Sequence, residues 1–470
     1  MKEYLPAINS SPIIEKLSSP VTPEELYGHY AHLENTSLLN SSLETDAGRY
    51  SFIGLDPFLV LTGKNNKLRL RFEEHELTLK NSPFDCLSSL ISTYNTKNAT
   101  PLPFTAGGIG YFSYDLKNTI EHLPQQTKDD LLLPDIYFVL YRTLLIWDNL
   151  NPGEFYISVL DIKSNSYKKP VEIIKEIKKT IKSSSLDTLP KPKRKGHRPL
   201  LKSNFTKNSY IKSVKKVIDY IRAGDIYQAC LSQRFKTECS VTPYELYRNL
   251  NKINPSPFGA YLNFEEAQII SSSPELFLRM RNNTIETRPM KGTRKRGKNI
   301  TEDRKLKTIL LKSKKDAAEL AMIVDVERND FGKVCIPGSI KVAEHRRIET
   351  YPTVFQTISI INGLLGKTIN PVDIIKASFP GGSISGCPKI RAMEIIGELE
   401  PTQRHVYTGS IGYISFHDTM DLNIAIRTMI MKGKDVYFQA GGGIVSDSDP
   451  ETEYTETIIK AKALVESLHL

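Results

Sequence analysis

A chain of 470 residues with 40% hydrophobic content and a net charge of +10 is long enough for two domains or one large composite α/β body, and apolar enough for a globular interior. Its longest apolar stretches, such as 138–147 with Arg142 inside it, are too short and too interrupted for a transmembrane helix. The opening Met1-Lys2-Glu3-Tyr4-Leu5-Pro6 puts an acid and a proline where a secretory signal needs an unbroken apolar core.

In chain order, the first strands are expected around Tyr50, Phe52, Leu59 and Leu61, with an Asp56-Pro57 turn between them. The segment Gly107 to Asp115 reads as a glycine-loosened strand or loop, and its glycines lack the spacing of a phosphate-binding fingerprint. Strands over 135–148 and 154–161 flank an Asn149 to Gly153 turn, and a basic amphipathic helix over 171–181 follows. Ser183-Ser184-Ser185 and the Pro/Lys/Arg run 189–195 then break the periodicity, which sets an N-terminal domain 1–182, a basic linker 183–204 and a C-terminal domain 205–470. Much of the excess positive charge lies between Lys163 and Lys216 without the interleaved aromatics of a stacking surface, so a solvated linker is favoured over nucleic-acid binding.

Past the linker, Ile211, Val214, Ile218 and Ile221 mark a helix stopped by Gly224-Asp225, and a strand carrying Gln228, Cys230, Ser232 and Arg234 on one face follows. Strands flanking Asn282-Asn283 form a hairpin that leads to Thr287-Arg288-Pro289-Met290-Lys291-Gly292-Thr293. One long helix is expected over 302–329, a strand over 422–429, and a final helix over 452–468. Many tight antiparallel turns and few helices favour an α+β fold over a doubly wound parallel sheet.

Several positions could carry chemistry, and each has a plainer alternative. Lys291 stands between a Pro-Met shoulder and a glycine, as a pocket amine or as a solvated loop charge; only its neutral form would be nucleophilic. Glu275, after Pro274, is a surface acid or, in a water-poor pocket, a proton donor to a leaving hydroxyl. On the final helix Glu453, Glu456 and Lys460 share a stripe that is either a solvated face or, behind Gly441-Gly442-Gly443, part of a ligand site. Glu319, among alanines, lies at a helix edge or has a partner; with Glu456 it would make a hard oxygen site suited to Mg²⁺. The run Pro380 to Lys389 is a helix cap or an anion site at a helix N-terminus. Arg427, in an apolar strand, needs a carboxylate, which could be a substrate's. Five scattered cysteines without a CxxC pair or a histidine at metal spacing point to a reducing, cytoplasmic setting and away from zinc.

These residues resemble the chorismate-utilising enzymes over nearly the whole chain, through Asp225-Ile226-Tyr227-Gln228, Ser273-Pro274-Glu275, Ile323-Val324-Asp325 with Arg328-Asn329-Asp330, Gly382 to Lys389, and Gly441 to Glu456. The resemblance implies stacked, largely antiparallel sheets flanked by helices, chorismate as substrate and a Mg²⁺-dependent site. Glu319 and Glu456 would be the metal ligands with Glu453 close by, and Glu275 the general acid that helps the C4 hydroxyl leave. Thr293, Ser385, Gly386, Tyr407, Arg427, Gly442, Gly443 and Lys460 would hold the substrate's carboxylates and enolpyruvyl arm.

Two positions discriminate within the family. Water-using members carry a lysine base where this chain has the neutral Gln228, which suits ammonia as the incoming nucleophile. Among ammonia users, those that make anthranilate carry a small residue at the position of Lys291, and those that make 4-amino-4-deoxychorismate, a precursor of 4-aminobenzoate and folate, carry lysine. No Cys-His-Glu glutaminase signature is present, so a separate glutamine amidotransferase subunit is expected to supply ammonia, and no fused lyase is expected after Leu470. Two departures stand out. Gln356 replaces a histidine of many relatives and removes a group that titrates near neutrality, and Leu38-Leu39-Asn40-Ser41 lacks the glutamate of the related tryptophan-binding motif.

Overall fold

The computed structural model describes residues 5–164, 167–183, 200–352 and 354–469, so most of the expected linker, 184–199, lies outside the described residues. Every strand pairing among the named strands is antiparallel, in one continuous hydrogen-bonded system that folds into two leaves. The leaves share two long strands, Tyr50–Lys64 and Ile136–Asp148. The register between these shifts at Pro57/Leu59, beside Asp56 at φ 52°, so the expected Asp-Pro turn is a kink within one strand.

From the Phe52–Leu55 half of the shared pair, one leaf runs through Thr36–Asn40, Phe258–Asn263, Gln268–Ser273, Thr428–Lys432 and Asp435–Ile444 to Gln228–Glu238. From the other half, the second leaf runs through Gly107–Phe112, Ser410–Ser415, Met420–Asn423, Leu276–Arg281 and Thr284–Thr287 to Val354–Leu364. Strands from both sides of the linker are thus interleaved: Thr36–Asn40 pairs with Phe258–Asn263, and Gly107–Phe112 with Ser410–Ser415.

The core follows the leaves. Phe52, Ile109, Tyr111, Leu144, Ala260, Leu262, Ile411 and Tyr413 form one buried cluster drawn from both leaves. A second cluster packs the helices Pro170–Ser183 and Pro243–Ile253 against the first leaf, and a third packs Pro83–Thr93, Lys314–Gly332 and Pro371–Ser378 against the second. This is the expected α+β arrangement of stacked sheets flanked by helices, with apolar faces buried on both sides of each leaf.

Two local expectations are corrected. The single helix over 302–329 is two, Ile300–Lys312 and Lys314–Gly332, because Ser313 leaves helical geometry (φ −65°, ψ 111°) and its hydroxyl caps the second helix by accepting from the Asp316 amide. The strand expected over 422–429 is interrupted: Met420–Asn423 and Thr428–Lys432 are separate, and Arg427 sits between them at φ 51°. Apolar character at 422–429 reflects burial at the junction of the leaves and not one continuous strand. Among the described residues, no helix is long and apolar enough to cross a membrane, and all five cysteines are free thiols.

Candidate active site

A cavity of about 1210 Å³ opens where the glycine-rich end of Asp435–Ile444, the strand Met290–Lys295, the turn Gly382–Ile384 and the helices Lys314–Gly332 and Pro450–Ser467 meet. Glu275, Lys291, Thr293, Glu319, Tyr407, Arg427, Gly442, Gly443, Glu453, Glu456 and Lys460 all line it. Residues separated by up to 185 positions in sequence therefore face one space, because the two leaves bring their strand ends together there.

Lys291 lies next to Gly292, whose φ of +78° and register shift against Val354–Leu364 form a bulge that re-aims the strand at the cavity. Its ammonium donates to the Ser383 carbonyl at 3.1 Å. Glu275 is 4% exposed, and burial pushes its carboxyl up to about 7 although the Ser383 hydroxyl and the Lys291 ammonium favour the ionised form. Gln228 is fully buried behind Gly443: a Cβ on Gly443 would lie 2.5 Å from the Gln228 amide nitrogen and 3.5 Å from Lys291 Nζ. Only glycine at 443 lets these two side chains share that corner. The Gln228 side-chain oxygen, although buried, has no hydrogen-bond partner among the described residues.

On the opposite side, Glu453 and Glu456 approach Gly442, where an added Cβ would come 3.2 Å from Glu453 Oε2 and 3.7 Å from Glu456 Oε1. Burial raises the Glu319 and Glu453 carboxyls, and the negative charge of Glu456 adds to both shifts. Glu456 is lowered: its burial is outweighed by Lys460, whose ammonium sits 2.5 Å away, with Lys315 and Lys291 contributing. Lys460 also donates to the Gly441 carbonyl at 3.0 Å. Among the described residues no group of three His, Cys, Asp or Glu side chains converges closely enough to hold a metal ion. The donor set nevertheless suits a hard cation in kind: carboxylate oxygens only, with room for waters and an anionic ligand to complete the shell.

Arg427 reaches the cavity with one hydrogen bond, to Asn254 Oδ1 at 3.2 Å, and no carboxylate within ion-pair distance among the described residues. Burial lowers its pKa, and the Tyr351 phenol is the partner that opposes the shift. A guanidinium so placed has its fork free for an anion. Thr293 accepts from the Gln356 side-chain amide at 3.4 Å, and the buried Gln356 side-chain oxygen has no hydrogen-bond partner among the described residues.

Ser385 and Gly386 are placed differently. The Ser385 hydroxyl donates to Gly381, its carbonyl accepts from the Cys230 amide at 2.8 Å, and Gly386 packs against Gln228 with no room for a Cβ. Their neighbours Ser383 and Ile384 form the cavity wall in their stead. Pro388 is the N-cap of the following helix, Lys389–Leu399. Asn40 and Ser41 line a separate cavity of about 250 Å³ between the leaves.

Arg404 and Glu327 join the site without having been expected there, and Ser383 stands out only as part of the run Pro380 to Lys389. Arg404 had a signal in its i, i+4 spacing from Glu400. Glu327 is buried, accepts from the Gly382 amide at 3.1 Å and has a second oxygen without a hydrogen-bond partner among the described residues. Burial, with Asp330 and Glu275 nearby, pushes it up to about 8. Nothing in its local sequence distinguishes it from a surface acid.

An α+β body of stacked antiparallel sheets, with an acid, an amine, a free guanidinium and a carboxylate cluster around one cavity, defines an enzyme site for a small anionic substrate. The profile of the chorismate binding enzyme family matches residues 40–466. Anthranilate synthase component 1 of Aquifex aeolicus (strain VF5) is 38% identical over 436 residues, covering 90% of this chain and 87% of that protein. Aminodeoxychorismate synthase component 1 of Bacillus subtilis (strain 168) is 38% identical over 428 residues, covering 90% of each. The crystal structure of anthranilate synthase component I from Streptococcus pneumoniae TIGR4 superposes with a TM-score of 0.78 at 33% identity, covering 90% of this chain and 93% of that one. The chain belongs to the chorismate-binding enzyme family and is a chorismate-utilising enzyme.

Proposed function

We propose that the protein is an aminodeoxychorismate synthase component I, which aminates chorismate at C4 with ammonia to give 4-amino-4-deoxychorismate for 4-aminobenzoate and folate synthesis. The observation that carries this reading is the Lys291 amine at the cavity wall, beside Glu275 and against Gly443 and Gln228. Lysine at this position is the mark of the C4-aminating members that the sequence resembles, and a neutral glutamine at 228 offers no base to activate water.

In this mechanism the neutral Lys291 amine adds at C2 of chorismate while the C4 hydroxyl leaves as water with a proton from Glu275. Ammonia then attacks C4 and expels the lysine from C2, and the enolpyruvyl group is retained. The two starting states are complementary: a proton passed from the Lys291 ammonium to the Glu275 carboxylate makes a free amine and a proton donor together. Burial of Glu275 favours that transfer.

Arg427, Tyr407, Thr293 and Lys460 would hold the substrate's carboxylates and enolpyruvyl arm, with the Gly442–Gly443 backbone against it. The backbone around Ser385-Gly386 would contribute by shaping the neighbouring Ser383-Ile384 wall. Glu319 and Glu456 would hold Mg²⁺ with Glu453 beside them; when bound, the ion supplies positive charge for a substrate carboxylate. A separate glutamine amidotransferase subunit would supply ammonia, as the component 1 relatives suggest.

The test is product identity. Incubated with chorismate, Mg²⁺ and an ammonium salt, the protein is expected to give 4-aminobenzoate only after the lyase is added. Fluorescent anthranilate formed without the lyase would make it an anthranilate synthase, the activity named for the Aquifex aeolicus relative. Lys291→Ala tests the covalent step: full ammonia-dependent formation of 4-amino-4-deoxychorismate by this variant refutes it.

A further inference from the structure

Arg404 lines the cavity, yet its side chain is 2% exposed and its charge is spent inside the protein. A guanidinium has five N–H donors. Here Nε donates to Glu400 Oε2 at 2.8 Å, and one Nη2 donor goes to Glu400 Oε1 at 2.7 Å. The other Nη2 donor goes to the Cys230 carbonyl at 2.7 Å. The two Nη1 donors go to the Ile384 carbonyl at 3.1 Å and the Thr408 hydroxyl at 3.3 Å. Glu400 is also committed, because its Oε1 accepts from both the amide and the hydroxyl of Ser232 at 2.8 Å.

The atoms that Arg404 grips are the wall behind Lys291. Ile384 follows Ser383, whose carbonyl receives the Lys291 ammonium at 3.1 Å and the Cys230 thiol at 3.5 Å. Thr408 follows Tyr407, whose ring centre lies 5.9 Å from the guanidinium carbon. The Tyr114 ring, from the N-terminal half of the chain, backs the guanidinium at 4.6 Å, and the Tyr114 amide donates to the His405 carbonyl at 2.8 Å. One side chain therefore joins the strand Gln228–Glu238, the turn Gly382–Ile384 and the Arg404–Thr408 segment, with an N-terminal aromatic as backstop.

We infer that Arg404 is a positioning residue: it fixes the Cys230–Ile384 wall that sets the place of Lys291, and it does not bind the substrate. This rests on the reading of the cavity as the chorismate site with Lys291 as its working amine. With all five donors occupied, a substrate carboxylate could gain Arg404 only by breaking its pairing with Glu400 or its backbone bonds. The consequence is a split between kcat and KM. Loosening the wall misplaces the amine without removing a substrate contact, and a misplacement of about 1 Å costs on the order of 100-fold in rate.

The experiment uses the full chain with chorismate, Mg²⁺ and an ammonium salt, follows chorismate consumption whatever aminated product forms, and normalises turnover to folded protein by circular dichroism. The variants are Arg404→Lys, and the double variant Arg404→Gln with Glu400→Gln, which leaves no uncompensated buried charge. Expected is a fall in kcat of about 10- to 100-fold in both, with KM for chorismate within about threefold of the parent. A KM raised tenfold or more at preserved kcat would make Arg404 a substrate ligand and overturn the inference. Unchanged turnover per folded molecule in either variant, whatever the loss of folded protein, would reduce it to a structural residue and overturn it equally. A parent protein that does not consume chorismate would instead refute the reading of the cavity.

Discussion

The acid limb of turnover is expected to report Glu275. Burial holds its carboxyl at about 7 against the Lys291 ammonium and the Ser383 hydroxyl, where an exposed glutamate would titrate near 4.5. The competent state holds one proton on the Lys291–Glu275 pair, on the carboxyl with the amine free, so a second proton below this pKa leaves an ammonium and no nucleophile, and activity rises as pH rises through it. With a pKa of about 7, roughly one tenth of the pair holds a single proton at pH 6 and roughly nine tenths at pH 8. kcat for chorismate consumption is therefore expected to rise several-fold across that interval, with total ammonium adjusted so that free ammonia stays constant. Glu275→Gln removes the proton and should lower kcat by about 100- to 10,000-fold while abolishing the limb. A kcat that stays flat or falls between pH 6 and 8, or a Glu275→Gln variant within about threefold of the parent, would refute the assignment.

Arg427→Ala should raise KM for chorismate by about 10- to 150-fold, the value of a charged hydrogen-bonded contact, without lowering the melting temperature, because no carboxylate of the described residues is left unpaired. Arg427→Lys should recover only part of that affinity, since an ammonium lacks the planar fork. Gly443→Ala is expected to displace Gln228 and crowd Lys291, lowering kcat about tenfold or more in a protein whose circular dichroism is unchanged. Glu327→Gln tests the buried carboxyl beneath the Gly382 turn. Its pKa is raised in the fold to about 8, so the parent loses stability as pH rises from about 4.5 through 8, and the neutral amide should not. The variant's melting temperature should therefore exceed the parent's at pH 9 by a wider margin than at pH 6.

Much of the site was legible from local sequence because its chemistry depends on residue types that are costly where they serve no purpose. Lys291 beside Gly292, Glu275 after Pro274, and the triple glycine ahead of Glu453, Glu456 and Lys460 all stand out within a few residues, and all line the cavity. The alternation of short apolar runs with tight turns was also enough for an α+β fold, since side-chain period is a local property. The break at Ser313 and the interruption at Arg427 were not legible, because capping and left-handed backbone are decided by how the chain must turn to pack.

Sequence alone determined which groups this protein can bring to a reaction: an amine at 291, acids at 275, 319, 453 and 456, and a neutral amide at 228. Only the tertiary structure decided which of them meet. Ser385 and Gly386 turn inward to pack while Ser383 and Ile384 form the wall, and Arg404 and Glu327 acquire their places from partners 20 to 174 positions away. A hydrogen bond between distant segments leaves no periodic trace in either of them, so burial and pairing, the two terms that set a group's charge and freedom, exist only once the leaves have closed.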